Sequence, residues 1–272
     1  MKGRISVKPV FVVLLVLLGL LLIGWLGLQV KAKPFNLAGF SQGEVKTMPL
    51  PADLPTPVQR FYNTLYPDGQ IPVYDSVVIT GTGRMRPFGI WLPVRFVIVH
   101  NTGTDYRHYF EATWFGLPFL KINEGYVDGK SFFESPMGSY TDDPNTNQAA
   151  NLALWAEGGW FPALWVTDSR ARWQAVDDQT AVLFVPFEKK EESLVMRFDP
   201  QTGLVKLTEA MRFRSVGDQD KILWLTNEAA AKDGQSVSYV TWLDQGKPWA
   251  EMINQTFIYN VDVSEYIRAR GK

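Results

Sequence analysis

The 272-residue sequence contains no cysteine. That excludes disulfides, a thiol nucleophile, Cys-ligated zinc and a lipid-modified N-terminal cysteine, so a packed core must hold the fold. Histidine is scarce as well: His100 and His108 are the two in the chain. On neighbouring strands joined through Asn101-Thr102-Gly103 they are expected to stand far from each other's pairing positions, as ordinary strand residues, so neither a metal nor a cofactor is expected. Catalytic signatures are missing too. There is no Gly-x-Ser-x-Gly elbow, His-Glu-x-x-His helix or phosphate loop, and Gly81-Thr82-Gly83 runs into Arg84-Met85-Arg86 without the spacing of a dinucleotide site. That triplet reads as a strand bulge or a close approach of backbones. Asp143-Pro144-Asn145-Thr146-Asn147 opens like a calcium loop, but Gln148 stands where glycine is needed and Leu154 where the bidentate Glu belongs, so helix capping is the better reading. No catalytic residue is assigned. Asp142/Asp143 and Glu191/Glu192 fall in turns as solvated pairs, and a two-carboxylate hydrolase is the least favoured function.

What is present begins with an uncharged apolar run, Pro9 to Val30, of 22 residues. As a helix it is about 33 Å long, enough for a bilayer core of about 30 Å, and no comparable run follows. Lys2, Arg4, Lys8 and the free amine precede it and Lys31 and Lys33 follow, which predicts a cytoplasmic N-terminus (residues 1–8), a single-pass signal anchor (9–30) and an extracytoplasmic remainder in the cell membrane. Cleavage after Val30-Lys31-Ala32 is the competing reading; the run exceeds the length of an ordinary signal-peptide core. Residues 1–33 hold five basic and no acidic side chains, so the rest carries 22 Lys+Arg against 28 Asp+Glu, a net of −6. An acidic domain is a poor partner for nucleic acid. Residues 31–53, dotted with proline and glycine, read as a linker, and 54–272 as one domain.

Thr56 is expected to cap a short helix with Pro57 at its first position and Val58, Phe61, Tyr62 and Leu65 on one face. After Pro72 the period becomes twofold. Strands are expected at 74–86, 90–100, 105–114, 119–126 and 131–135, then at 172–176, 180–188, 193–199, 204–214, 221–227, 236–243 and 251–262, separated by a helix over 145–157. Eleven or twelve strands exceed a comfortable flat sheet, so the fold class is mainly β (α+β), a strongly curved antiparallel sheet or half-open barrel with a few covering helices. In 204–214, Lys206, Thr208, Arg212 and Arg214 share the parity expected to be wet, and Val205, Leu207, Met211 and Phe213 the parity expected to be buried. Strands 91–99 and 182–187 are apolar on both parities and need cover on both faces.

Leu54-Pro55-Thr56-Pro57-Val58-Gln59-Arg60-Phe61, Trp155-Ala156-Glu157-Gly158-Gly159-Trp160-Phe161-Pro162-Ala163-Leu164 and Arg172-Trp173-Gln174-Ala175-Val176-Asp177 resemble an uncharacterised bacterial family, often membrane-anchored, of the domain-of-unknown-function kind. The resemblance implies a likeness to the lipoprotein-carrier fold, a half-open antiparallel barrel whose concave face is crossed by helices. It implies apolar-ligand handling and no established activity.

From the residues themselves, Asp143 can cap the 145–157 helix and Gly158-Gly159 stop it. Four large aromatics follow within eleven residues, Trp155, Trp160, Phe161 and Trp165. They read either as a gate over an apolar cavity, with Glu157 paired to a strand Arg such as Arg212 or kept for a ligand head group, or as ordinary core with Glu157 in a structural ion pair. The expected function is a tethered domain that binds or carries a lipid or other apolar ligand against Trp91, Trp114, Phe115, Trp155, Glu157, Trp160, Phe161, Trp173 and Arg212. A cavity of about 300 Å³ or more would favour it. The alternative is a module that presents aromatics or a sheet edge to another envelope protein.

Overall fold

The computed structural model describes residues 7–37, 41–87, 89–230 and 236–269. Helix α1 (Val7–Gln29) takes up the apolar run. Its Pro9–Gln29 portion has a mean hydropathy of 2.9 and almost no surface buried against the protein, which fits a signal anchor or membrane span. Lys2, Arg4 and the free amine, three of the charges expected to orient it, lie outside the described residues.

Part of the stretch read as linker is structured: β1 (Lys46–Pro49) pairs antiparallel with β2 (Gln70–Val73), bracketing α2 (Thr56–Leu65). Contrary to expectation, Thr56 does not cap α2. Pro55 occupies the cap position with no side-chain bond to the helix, and Thr56 is already helical. A proline at the cap leaves the first turn's N–H groups without a side-chain acceptor, so burial of Val58, Phe61 and Tyr62 holds the helix instead.

The twofold stretch forms one sheet of thirteen antiparallel strands. Its first half is a meander of β3 (Ser76–Met85), β4 (Leu92–Asn101), β5 (Asp105–Trp114), β6 (Leu117–Val127), β7 (Lys130–Ser135) and β8 (Gly138–Thr141). The chain then crosses through α3 (Pro144–Ala156), a short 3-10 turn (Glu157–Trp160) and α4 (Leu164–Thr167). The second half is β9 (Arg172–Asp177), β10 (Thr180–Phe187), β11 (Lys190–Phe198), β12 (Val205–Arg212), β13 (Ile222–Ala230), β14 (Ser236–Trp242) and β15 (Ala250–Tyr259), and α5 (Ser264–Arg268) follows. Strand order is β8-β7-β6-β5-β4-β3-β15-β14-β13-β12-β11-β10-β9. The chain therefore starts mid-sheet, runs to one edge, jumps to the other and returns until β15 closes on β3. Right-handed twist accumulated over so many strands curves the sheet, and α3 packs across its concave side against β6, β7, β10, β11 and β12.

Strand β8 was not anticipated, because Gly138-Ser139-Tyr140-Thr141 carries one large apolar side chain. The close approach expected at Gly81 is present: a methyl there would run into the Ile253 carbonyl and the Phe96 ring, and the β15–β3 register shifts between Asn254 and Thr256. Gly81→Ala is expected to destabilise by about 1–3 kcal/mol in chemical unfolding, since the obstacle is backbone and cannot move aside.

The parity expected for β12 holds at its start, where Val205 packs on the core and Lys206 is exposed, and is reversed from Thr208 onward. Met211 is 49% exposed, whereas Thr208 and Ala210 are buried and Thr208 and Arg212 line the concave interior. Alternation distinguishes two faces but not which one is covered. Here α3 and the aromatics around it cover the polar one. The two-sided strand β4 does receive cover on both faces: Phe96 and Ile98 join the main core, while Val99 packs with Val78, Val263 and Ile267 under α5.

Candidate functional site

Asp143 begins the construction. Its Oδ1 accepts from the N–H groups of Asn145 and Thr146, each at 3.1 Å, with Pro144 in the first turn. Asp143→Ala is expected to cost about 1 kcal/mol, measured as a shift in the urea midpoint at constant slope. After thirteen residues of helix the chain gives way to Glu157 and the Gly158-Gly159 turn. Gly158 lies against the Trp165 indole with no room for a Cβ, and Trp165 Nε1 donates to the Trp155 carbonyl at 2.8 Å. This lock sets Glu157 over β4 and β5.

On those strands Ile98 pairs with His108 and His100 with Tyr106, so the histidines are diagonal neighbours on the concave face. Diagonal neighbours are within reach of large side chains, and the ring centroids are 6.4 Å apart. The expectation that they stand far apart is therefore corrected. Glu157, from a third element, bridges them: His100 Nε2 donates to Glu157 Oε2 at 2.8 Å and His108 Nε2 donates to the same oxygen at 2.9 Å. His108 Nδ1 donates to Glu124 Oε1 at 3.2 Å from β6, directly across the strand pair. Both His108 nitrogens thus face carboxylates, whereas His100 Nδ1 is buried without a partner.

Burial opposes charge on Glu157, but the His108 charge and the two imidazole hydrogen bonds overcome it and hold the carboxyl at about 2. Burial also opposes charge on His108; Glu157 and Glu124 outweigh it and raise the imidazole to about 9. His100 goes the other way, below the ordinary histidine value, because burial outweighs its bond to Glu157. The resulting assembly is a histidinium between two carboxylates, with a neutral histidine beside it.

Arg212 faces this assembly from β12. Its guanidinium lies 4.7 Å over Trp224 and 5.4 Å over Trp242. Burial depresses its pKa, with Tyr106, Glu124, Tyr140 and Glu157 acting on it from a distance. Among the described residues it makes no ion pair, and its Nε has no hydrogen-bond partner. The expected Glu157–Arg212 pair is absent because the histidines reach the carboxylate first.

Two adjoining cavities open beside these groups. One of about 310 Å³ runs from Phe61 and Leu65 past Trp160 and Glu157 to Lys206, Thr208, Trp224 and Val240. The other, about 350 Å³, is bounded by Met85, His108, Phe110, Glu124, Phe133, Arg212, Trp242 and Trp249. Glu157, Trp224, Val240 and Met252 line both.

Of the residues singled out from sequence, Glu157, Trp160 and Arg212 line the cavities. Trp155 and Phe161 are core, 0% and 1% exposed, although Phe161 packs edge-on against His100 at 4.9 Å. Trp173 packs on Trp165 and Phe198, and Trp91 lies under Arg84 and Arg86; neither lines a cavity. Trp114 and Phe115 form the β5–β6 hairpin tip beside the end of α1, where Trp114 Nε1 donates to the Gly24 carbonyl at 3.0 Å. His100, His108, Glu124, Trp224 and Trp242 were missed. For the histidines and Glu124, the available signal was shared parity on adjacent strands.

A family model described as "Family of unknown function (DUF6544)" matches residues 44–251. Among curated proteins no relative matches. Two solved structures show partial likeness: a LolA-superfamily protein from Nitrosomonas europaea, 8% identical, TM-score 0.44, covering 78% of this chain and 95% of that one; and a domain of a putative outer-membrane lipoprotein-sorting protein from Vibrio parahaemolyticus, 9% identical, TM-score 0.37, covering 79% and 95%. Overlap at this level carries no inference about cargo.

Proposed function

We propose that this chain, which belongs to the DUF6544 family of unknown function, is a membrane-tethered, extracytoplasmic domain that binds an amphiphile, with the apolar part in the concave cavities and an anionic head at Arg212. The carrying observation is a guanidinium without an ion-pair partner among the described residues, facing a cavity of about 350 Å³ that continues into an aromatic-lined one of about 310 Å³. Their size is in the range of small-ligand sites. A part-buried cation left without an anion is costly, and a carboxylate or phosphate head would satisfy it with charge-assisted bonds.

The tether supports access from the bilayer. Leu28, near the end of α1, packs against the cluster of Leu92, Val94, Ala112 and Leu120, and Met85, which packs against the same cluster, borders the larger cavity. Beside it the hairpin exposes Trp114, Phe115, Leu117 and Phe119, at the level where a span ends and aromatics favour the headgroup region. Phe115 sits at φ 51 before Gly116, in a turn that ordinarily takes Asn or Gly. Keeping a strained aromatic at a tip fits a surface contact more than fold economy.

The test is native mass spectrometry, with lipid extraction, of the full chain purified from its own membrane. A stoichiometric amphiphile is expected in the wild type, and its affinity should fall about 10–100-fold in Arg212→Met, the worth of a charge-assisted bond of about 1.5–3 kcal/mol. Because an unpaired cation is removed, that variant should keep its stability within about 1 kcal/mol. A bare wild-type mass would overturn the reading and favour the protein-interaction module.

A further inference from the structure

The buried His100–Glu157–His108 cluster asks for a role that amphiphile binding does not supply. The three donor atoms, each histidine's Nε2 and the carboxylate oxygen, lie within 4.8 Å of one another. They come from β4, β5 and the end of α3, so they enclose a point in space and do not spread along one surface. Their present N···O separations of 2.8 and 2.9 Å are hydrogen-bond lengths. A tetrahedral ion with bonds of about 2.0–2.2 Å sets donors about 3.3–3.6 Å apart, so replacing the two shared protons by an ion asks each N···O separation to open by roughly 0.4–0.8 Å and the widest pair of donors to close toward the same distance.

We propose that His100, His108 and Glu157 form a three-ligand site for a divalent transition metal, with Zn²⁺ the best match to two imidazoles and one carboxylate. Two further features favour this. Glu124 grips the far nitrogen of His108, the carboxylate–histidine arrangement that orients a ligating imidazole. Glu157 borders both cavities and His108 the larger, so the fourth coordination position opens on the ligand space and not on packed core. As a proton-only network the cluster gives the fully buried His100 one hydrogen bond, from Nε2 to Glu157. As a metal ligand, that same Nε2 contributes a strong bond. An ion there, together with Arg212, offers two positive groups to one anion, which makes the site selective for carboxylate or phosphate heads.

The chain makes the test clean: with two histidines and no cysteine, any ion that shows two imidazoles is at this site. The untagged full chain in detergent, stripped with a chelator, is titrated with Zn²⁺ by calorimetry and with Co²⁺ by visible absorption, and the Zn²⁺ form is measured by X-ray absorption. Saturable stoichiometric binding, the intense absorption of low-coordinate Co²⁺ and two imidazoles per zinc are expected. Glu124→Gln, which leaves all three ligands in place, should weaken binding about 10–100-fold. His108→Gln should remove the two-imidazole signature. Failure of the folded wild type to bind either ion, or fewer than two imidazoles on bound zinc, overturns the proposal. Because extracted lipid is scored separately on the same preparation, loss of the metal site leaves the amphiphile reading standing, and the converse.

Discussion

Glu157→Leu, assayed with chelator present, lowers the unfolding free energy by about 3–5 kcal/mol, the cost of removing one partner from a buried ion pair. The side chain is 13% exposed and a single oxygen serves both imidazoles, so leucine strands two Nε2–H groups at once. His108 keeps Glu124, at 3.2 Å and on a carboxylate 34% exposed, which compensates weakly. Urea unfolding of the full chain in detergent, followed by tryptophan fluorescence, reads the change. Glu157→Gln retains an acceptor for one imidazole and should lose less. A loss under about 1 kcal/mol for leucine would mean the cluster is hydrated and loosely held.

Trp165→Ala should cost about 3–5 kcal/mol as well, for a different reason. Its indole is 1% exposed, its Nε1 donates to the Trp155 carbonyl, and its own carbonyl accepts from Trp173 Nε1 at 3.2 Å. Deletion would open a void between Phe61 and Trp173 and unlock the turn that presents Glu157. Trp160→Ala is the control. That side chain is only part-buried, borders a cavity and donates to Ser238 Oγ at 3.0 Å, so about 1–2 kcal/mol is expected. Comparable losses at both positions would contradict the division of these aromatics into core and cavity wall.

That division follows from burial. Trp155, Phe161 and Trp165 are ordinary core, and Trp160 alone of the four borders a cavity. Recognition of the family from the 54–61, 155–164 and 172–177 segments holds, because those segments serve the fold: one caps the core with α2, one turns the crossing helix, one begins the edge strand. Motifs that serve folding are legible without naming a ligand.

The sequence by itself determined the apolar helix, the crossing helix capped by Asp143, the antiparallel meander with its strand limits to within a few residues, and, from the eleven or twelve strands it shows of the thirteen present, a curved sheet. These follow from local rules: period, caps and turns act over a few residues, and a sheet this wide must curve. Only the tertiary structure decided which face of β12 lies inside, because alternation has no sign until α3 covers one side. The meeting of His100, His108 and Glu157 is of the same kind. It depends on a diagonal register between β4 and β5 and on a carboxylate 57 residues beyond His100, delivered by a helix whose path is set by the edge-to-edge crossing. No local period encodes such a distance; only closure of the sheet and docking of α3 on it do.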